Sequence, residues 1–201
     1  MGKSFSVAVT GGIGSGKTEF CRFLEENGFP VINADKKAKD ILFRNESVRK
    51  KIISAFGAAT YSASGVNTAY LAEKVFSSPE GVNKINSIVH PVVIKEINDE
   101  VKEYSKTNKF VIVEAALIYE AEMEDMFDYV VLILAPVETR IKRVLEKGKM
   151  TEEAVRKRME NQIPDEVKKE WADFAFENSS GLDELKKKAG FLISILNLMA
   201  V

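Results

Sequence analysis

The chain has 201 residues, enough to bury one hydrophobic core and to carry a small insertion. Its 29 Lys and Arg against 30 Asp and Glu leave a formal net charge of -1, which excludes a global electrostatic footprint for nucleic acid or a membrane surface and requires basic groups to act locally. The one cysteine, Cys21, excludes an internal disulfide and fits a reducing, cytoplasmic compartment, and its place on the first expected helix makes a buried thiol the expectation.

From Met1-Gly2-Lys3-Ser4 the chain runs directly into Phe5-Ser6-Val7-Ala8-Val9, an apolar β-rich run, with no room for a signal peptide. Gly11-Gly12-Ile13-Gly14-Ser15-Gly16-Lys17-Thr18 follows and fits the pattern G-x-x-x-x-G-K-[ST]. Glu19 to Asn27 then carries Phe20, Phe23 and Leu24 at helical spacing and stops at Gly28. Strand, glycine loop and helix in this order make a phosphate-binding loop. Gly11, Gly12, Gly14, Ser15 and Gly16 let backbone N–H groups turn inward around phosphate oxygens, and the helix N-terminus adds partial positive charge. Lys17 is expected to reach the β- and γ-phosphates of a nucleoside triphosphate, and the Thr18 hydroxyl to ligate Mg²⁺.

Pro30-Val31-Ile32-Asn33 reads as a second strand, Phe110 to Val113 as a third, Tyr129 to Leu134 as a fourth and Phe174-Ala175-Phe176 as a fifth. Continuously apolar strands alternating with helical segments indicate an α/β fold with a five-stranded parallel sheet covered on both faces. Asp35 stands just past the second strand, on the edge where open α/β sheets bind ligands. It is a candidate general base for a hydroxyl acceptor, and equally the N-cap of a helix over Lys36 to Phe43. Residues 36–108 then show helical patterns, Ile52, Ile53 and Phe56, Leu71, Val75 and Phe76, and Ile85, Ile88 and Val89, in a stretch long enough to hold a second substrate. His90, before Pro91 at the junction of two expected helices, reads as closing a turn or capping rather than as an acid or base.

Glu114 and Glu120 flank Ala115 to Tyr119 at the end of the third strand, where a carboxylate can hold the waters of Mg²⁺. Pro136 fits the first turn of a helix bearing Arg140, Lys142, Arg143 and Lys147 and ending at Gly148. Arg140, Arg143 and Lys147 share a face, which is either a solvated row or a lid placing guanidinium charge against a transferring phosphoryl group. Thr151 is the expected N-cap of a second helical arm that carries Arg156 and Arg158 and runs to Gln162-Ile163-Pro164. The apolar tail from Ala189, interrupted by Ser194 and Asn197, is too short to span a bilayer and reads as a docked final helix.

In their order and spacing these segments resemble the dephospho-coenzyme A kinase family, nearly end to end. Thr10 to Thr18 looks like its T-G-G-I-G-S-G-K-[ST] opening, and Val31 to Asp35 is similar to its V-I-D-A-D segment. Leu71 to Phe76 with Ile88-Val89-His90-Pro91 matches the helical substrate region, and Leu117 to Glu120 resembles P-L-L-F-E. Arg158 and Gln162 fit R-x-x-x-Q, and Ala172-Asp173 with Asn178 and Gly181 match the last strand and loop. The resemblance implies a P-loop nucleotide kinase-like fold with a core of about 1–35, 109–137 and 165–201, a helical substrate-binding region of about 36–108 and a lid of about 138–164. It implies ATP and Mg²⁺, dephospho-CoA as acceptor, Asp35 as base, Lys17, Arg140 and Arg143 against the transferring group, and adenine contacts near Asn178 to Gly181. A cytoplasmic monomer or weak homo-oligomer is expected. Asn33 replaces the first aspartate of V-I-D-A-D, Ala116 the proline of P-L-L-F-E, Lys147 a common lid arginine, and Thr68 an arginine of the substrate region.

Three rivals remain. A kinase for a nucleoside monophosphate or another small alcohol shares the architecture, but a carboxylate at Asp35 would repel an anionic phosphate acceptor. A GTPase needs D-x-x-G and [NT]-K-x-D, and Asn83-Lys84-Ile85-Asn86 lacks the aspartate. A binding module without catalysis has no need of Lys17, Thr18 and Asp35 together.

Overall fold

A computed structural model describes residues 3–63, 65–148 and 150–199. The ends of two expected segments, Met1-Gly2 and Ala200-Val201, lie outside the described residues. The chain divides into two compact units, one of residues 1–33 and 100–201 and one of 34–99.

The first unit is built on a parallel sheet of β1 (Phe5–Thr10), β2 (Val31–Asn33), β5 (Phe110–Glu114), β6 (Tyr129–Leu134) and β7 (Phe174–Glu177), in the spatial order β2-β5-β1-β6-β7. All five expected strands form, within a residue or two of their expected bounds. Every residue of β5 is buried, as the central position of its apolar run requires. On one face Val7, Val9, Ile112, Val131 and Ile133 meet Phe20, Phe23 and Leu24 of α1 (Lys17–Glu26) and Leu185, Ala189, Leu192 and Leu196 of α9 (Leu182–Met199). The alternate residues Ala8, Val111, Val113 and Leu132 are fully buried too, so both faces of β1, β5 and β6 are covered, whereas Ala175 and Glu177 of the edge strand β7 are exposed.

Several boundaries differ from the sequence reading, each for a local reason. Helix α1 begins at Lys17 rather than Glu19, because Gly16, with φ of 107°, supplies the left-handed turn that lets the next residue enter the helix. Pro136 is the N-cap of α6 (Val137–Glu146), not a residue of its first turn. Thr151 caps α7 (Glu152–Glu160) as expected, its hydroxyl accepting the Ala154 N–H at 3.3 Å. A further helix, α8 (Asp165–Trp171), had no counterpart in the reading, and α9 starts seven residues before the apolar tail. None of the described helices is long and apolar enough to cross a membrane.

The second unit holds α2 (Ala34–Arg44), α3 (Glu46–Phe56), a hairpin of β3 (Tyr61–Ser62) and β4 (Gly65–Val66), α4 (Thr68–Phe76) and most of α5 (Pro79–Tyr104). Asn45 and Asn67 cap α3 and α4 by accepting the N–H groups of Val48 and Tyr70. The hairpin breaks the all-helical expectation, and Gly65, with φ of 111°, lies where an added Cβ would stand 3.3 Å from the Phe43 ring. His90 and Pro91 do not mark a junction. They lie inside the continuous α5, where Pro91 only deprives the Ser87 carbonyl of its helical partner, and burial pushes His90 below the ordinary histidine value. Asp35 is the second residue of α2 and not its N-cap, and its charge still complements the helix dipole there.

Phe20 is fully buried and stacked on Phe176 with centroids 5.6 Å apart. Phe20→Ala should therefore cost about 3–5 kcal/mol, read as a lower urea midpoint at unchanged slope. Burial pushes the Cys21 thiol well above its ordinary value, and the Glu114 charge adds to the effect. A disulfide reagent should leave Cys21 unmodified in the folded protein and react in stoichiometric amount once urea unfolds it.

Candidate active site

The loop between β1 and α1 lies at the carboxyl edge of the sheet. Gly16 provides no side-chain cap, so the first-turn N–H groups of α1 stay available to an anion. Lys17 is nearly buried, and its ammonium bridges back over the loop to the carbonyls of Gly11 at 2.8 Å and Gly12 at 3.4 Å. One position on, the Thr18 hydroxyl donates to Glu114 Oε1 at 2.6 Å, and Asn33 Nδ2 donates to Glu114 Oε2 at 2.6 Å. The register explains the trio: Asn33 and Val9 both lie opposite Glu114, so the ends of β2, β5 and β1 bring the amide, the carboxylate and the loop together. Asn33 is thus a donor to a buried carboxylate, a role an aspartate could fill only when protonated.

The loop is braced by α6. Arg140 is buried, donating from Nε to the Ile13 carbonyl at 2.9 Å and from Nη1 to Asp165 Oδ2 at 2.6 Å. One turn on, Arg143 Nη2 donates to the carbonyl and side-chain oxygens of Asn178, at 3.1 and 3.3 Å, and Asn178 Nδ2 donates to the Ser15 carbonyl at 2.8 Å. Gly14, with φ of 77°, lies so close that an added Cβ would stand 2.5 Å from the Arg140 carbonyl oxygen, while a Cβ on Gly12 would strike the Arg140 guanidinium itself. The solvated-row reading of Arg140 does not hold. Arg156 and Arg158, by contrast, are exposed, Arg156 pairing with Glu152 and Glu138. Two buried polar atoms beside the loop, Ser15 Oγ and Arg143 Nη1, have no hydrogen-bond partner among the described residues.

A third set of contacts converges on residues 162–165. Gln162 Oε1 accepts the Ile13 N–H at 3.2 Å, and Glu120 Oε1 accepts the Ile163 N–H at 3.0 Å while pairing at 2.6 Å with Lys168 Nζ, which is fully buried. A cavity of about 730 Å³, lined among others by Leu134, Pro136, Arg140, Met159, Gln162 and Asp165, opens here beside the carboxyl end of β6. The fold thus gathers Gly11, Gly12, Gly14, Ser15, Gly16, Lys17, Thr18, Glu114, Arg140, Arg143 and Asn178 around one loop. Gly181 only leads into α9, with a φ of 98°. Asp35 belongs to the second unit, exposed, two residues along the chain from Asn33. Sequence reasoning missed Asp165 and Lys168, because nothing in the run of charged residues from Asp165 to Glu170 marks which of them is buried.

A family model described as dephospho-CoA kinase matches residues 5–184. A dephospho-CoA kinase of Salinibacter ruber is 39% identical over 93% of this chain and 95% of its own length. One from Chlorobium luteolum is 36% identical over 96% of this chain and 90% of its own. Among solved structures, a dephospho-CoA kinase from Campylobacter jejuni, 28% identical, superimposes with a TM-score of 0.71 over 94% of this chain and 95% of its own. A braced P-loop on a five-stranded parallel sheet, with this likeness along nearly its whole length, places the chain in the dephospho-CoA kinase family.

Proposed function

We propose that the chain transfers the γ-phosphoryl group of ATP to the ribose 3′-hydroxyl of dephospho-CoA, giving CoA and ADP, the last step of coenzyme A biosynthesis. The observation that carries the reading is the loop with Lys17 held over it and Thr18 joined to Glu114, in a chain that belongs to this family. The acceptor oxygen forms a bond to the γ-phosphorus, the bond to the β–γ bridging oxygen breaks, and the hydroxyl proton leaves to a carboxylate. Asp35 takes that proton, on the support of its place just past β2 and of its match to the family's V-I-D-A-D segment. Lys17 and the loop N–H groups of Gly14, Gly16, Lys17 and Thr18 hold the β- and γ-phosphates. Arg143, whose buried Nη1 has no hydrogen-bond partner among the described residues, is assigned to the developing charge. Arg140 is already committed to Ile13 and Asp165, and we assign it to bracing the loop.

The Thr18 hydroxyl and Glu114 are all-oxygen donors, the kind Mg²⁺ accepts while keeping several of its waters. When bound there, Mg²⁺ would neutralise charge on the β- and γ-phosphate oxygens. We assign residues 36–108 to the acceptor, 138–164 to a lid, and Asn178 and Gly181 to the adenine side. A cytoplasmic location is supported by the single buried thiol, and a monomer or weak homo-oligomer is the expected state.

ADP release with dephospho-CoA, compared with adenosine, AMP and shikimate, tests the assignment, and equal rates on the other acceptors would overturn it. Asp35→Asn should lower kcat by at least about 10² with ATP binding retained. An unchanged kcat would leave Asp35 only its place in the helix dipole. Arg143→Ala should depress kcat more than it raises the KM for ATP, and a change in KM alone would remove Arg143 from the transition state.

A further inference from the structure

The Gly12–Ile13 peptide is bonded at both of its ends. Its carbonyl accepts from Lys17 Nζ at 3.4 Å and from the Ser15 N–H at 3.1 Å, and its N–H donates to Gln162 Oε1 at 3.2 Å. In a trans peptide the C=O and N–H point in opposite directions, so fixing one fixes the other. The Gln162 amide therefore sets the orientation of a carbonyl that holds the Lys17 ammonium. Gln162 is itself secured from the next residue, because the Ile163 N–H is accepted by Glu120, whose carboxylate is pinned by the buried Lys168. Asp165, paired with Arg140, ties the same short segment to α6, and Arg140 holds the Ile13 carbonyl. Residues 162–165 follow directly on α7, the second arm of the helical hairpin, and Gln162 lines the cavity between that arm and the strand ends.

We infer that Gln162 is a positioning residue for ATP binding: it acts through the Gly12–Ile13 peptide on Lys17, and so links the root of the α6–α7 hairpin to the phosphate loop. Without the Gln162 acceptor the peptide is held only through its carbonyl, by the Ser15 N–H and Lys17, and the ammonium, still bonded to the Gly11 carbonyl at 2.8 Å, is less closely fixed over the loop. One backbone N–H is also left without its partner, which adds to the cost of the ordered loop. The inference rests on the ATP half of the proposed function and makes no use of the acceptor.

The test is a double-mutant cycle read by ATP binding to the full chain, with Gln162→Met as the variant that keeps length and loses the acceptor. Gln162→Met should weaken ATP about tenfold when Lys17 is present and by less than about twofold in the Lys17→Met background, with any fall in melting temperature the same in both backgrounds. Hydrogen exchange at the Ile13 amide should also accelerate in Gln162→Met. Equal weakening in both backgrounds, or no weakening with Lys17 present, overturns the inference and marks a merely structural amide. A chain that meets the cycle yet does not phosphorylate dephospho-CoA would lose the acceptor assignment and keep this one.

Discussion

A loop that turns several N–H groups into one concavity must have its remaining backbone groups satisfied from elsewhere, because buried peptide groups without partners are costly. In this chain that need is met by Lys17 of the loop itself and by side chains from three other segments. Lys17 takes the carbonyls of Gly11 and Gly12, Arg140 that of Ile13, Asn178 that of Ser15, and Gln162 the Ile13 N–H. The loop is therefore less a property of its own eight residues than of the way α6, β7 and the start of α8 are brought against it. The parallel sheet supplies that convergence, since β1, β6 and β7 are adjacent and all end at the same edge.

A second chain of contacts runs across the other half of the sheet. Asn33, Glu114 and Thr18 join the ends of β2 and β5 to the first turn of α1 through two short hydrogen bonds on one buried carboxylate. The Thr18 hydroxyl is thereby oriented by the strand that sits beside it. With a neutral amide at position 33, the negative charge at this point is carried by Glu114 and not shared with a neighbour.

Much of this was legible in the sequence because it is local. The five strands announce themselves as apolar runs, and the glycine pattern with Lys17 and Thr18 fixes strand, loop and helix in one stretch. The Thr151 cap and the Gly28 stop are likewise short-range signals. What was hidden depends on pairs far apart in sequence. Arg140 looks like its exposed neighbour Lys142, yet one turn of helix and the approach of the loop bury it. Lys168 lies among Asp165, Glu166, Lys169 and Glu170, and only the position of Glu120, far along the chain, singles it out. The β3–β4 hairpin escaped for the opposite reason, being two residues a side and too short to show a period. The Pro91 reading failed because a proline was taken for a boundary, where α5 instead gives up one hydrogen bond and continues.

The two glycines that meet Arg140 are held by different parts of it, and this separates them in evolutionary terms. Gly12 is restricted by the guanidinium, the far end of a side chain that could shorten or swing aside, whereas Gly14 is restricted by the helix backbone and by its own left-handed φ. A change at position 12 can thus be accommodated by a change at 140 only with the loss of the Ile13 and Asp165 contacts, so the two positions are coupled. Position 14 has no such partner, because no side chain at 140 moves the carbonyl it meets. Variation at 12 should consequently be read jointly with 140, and invariance at 14 as a constraint of the backbone alone.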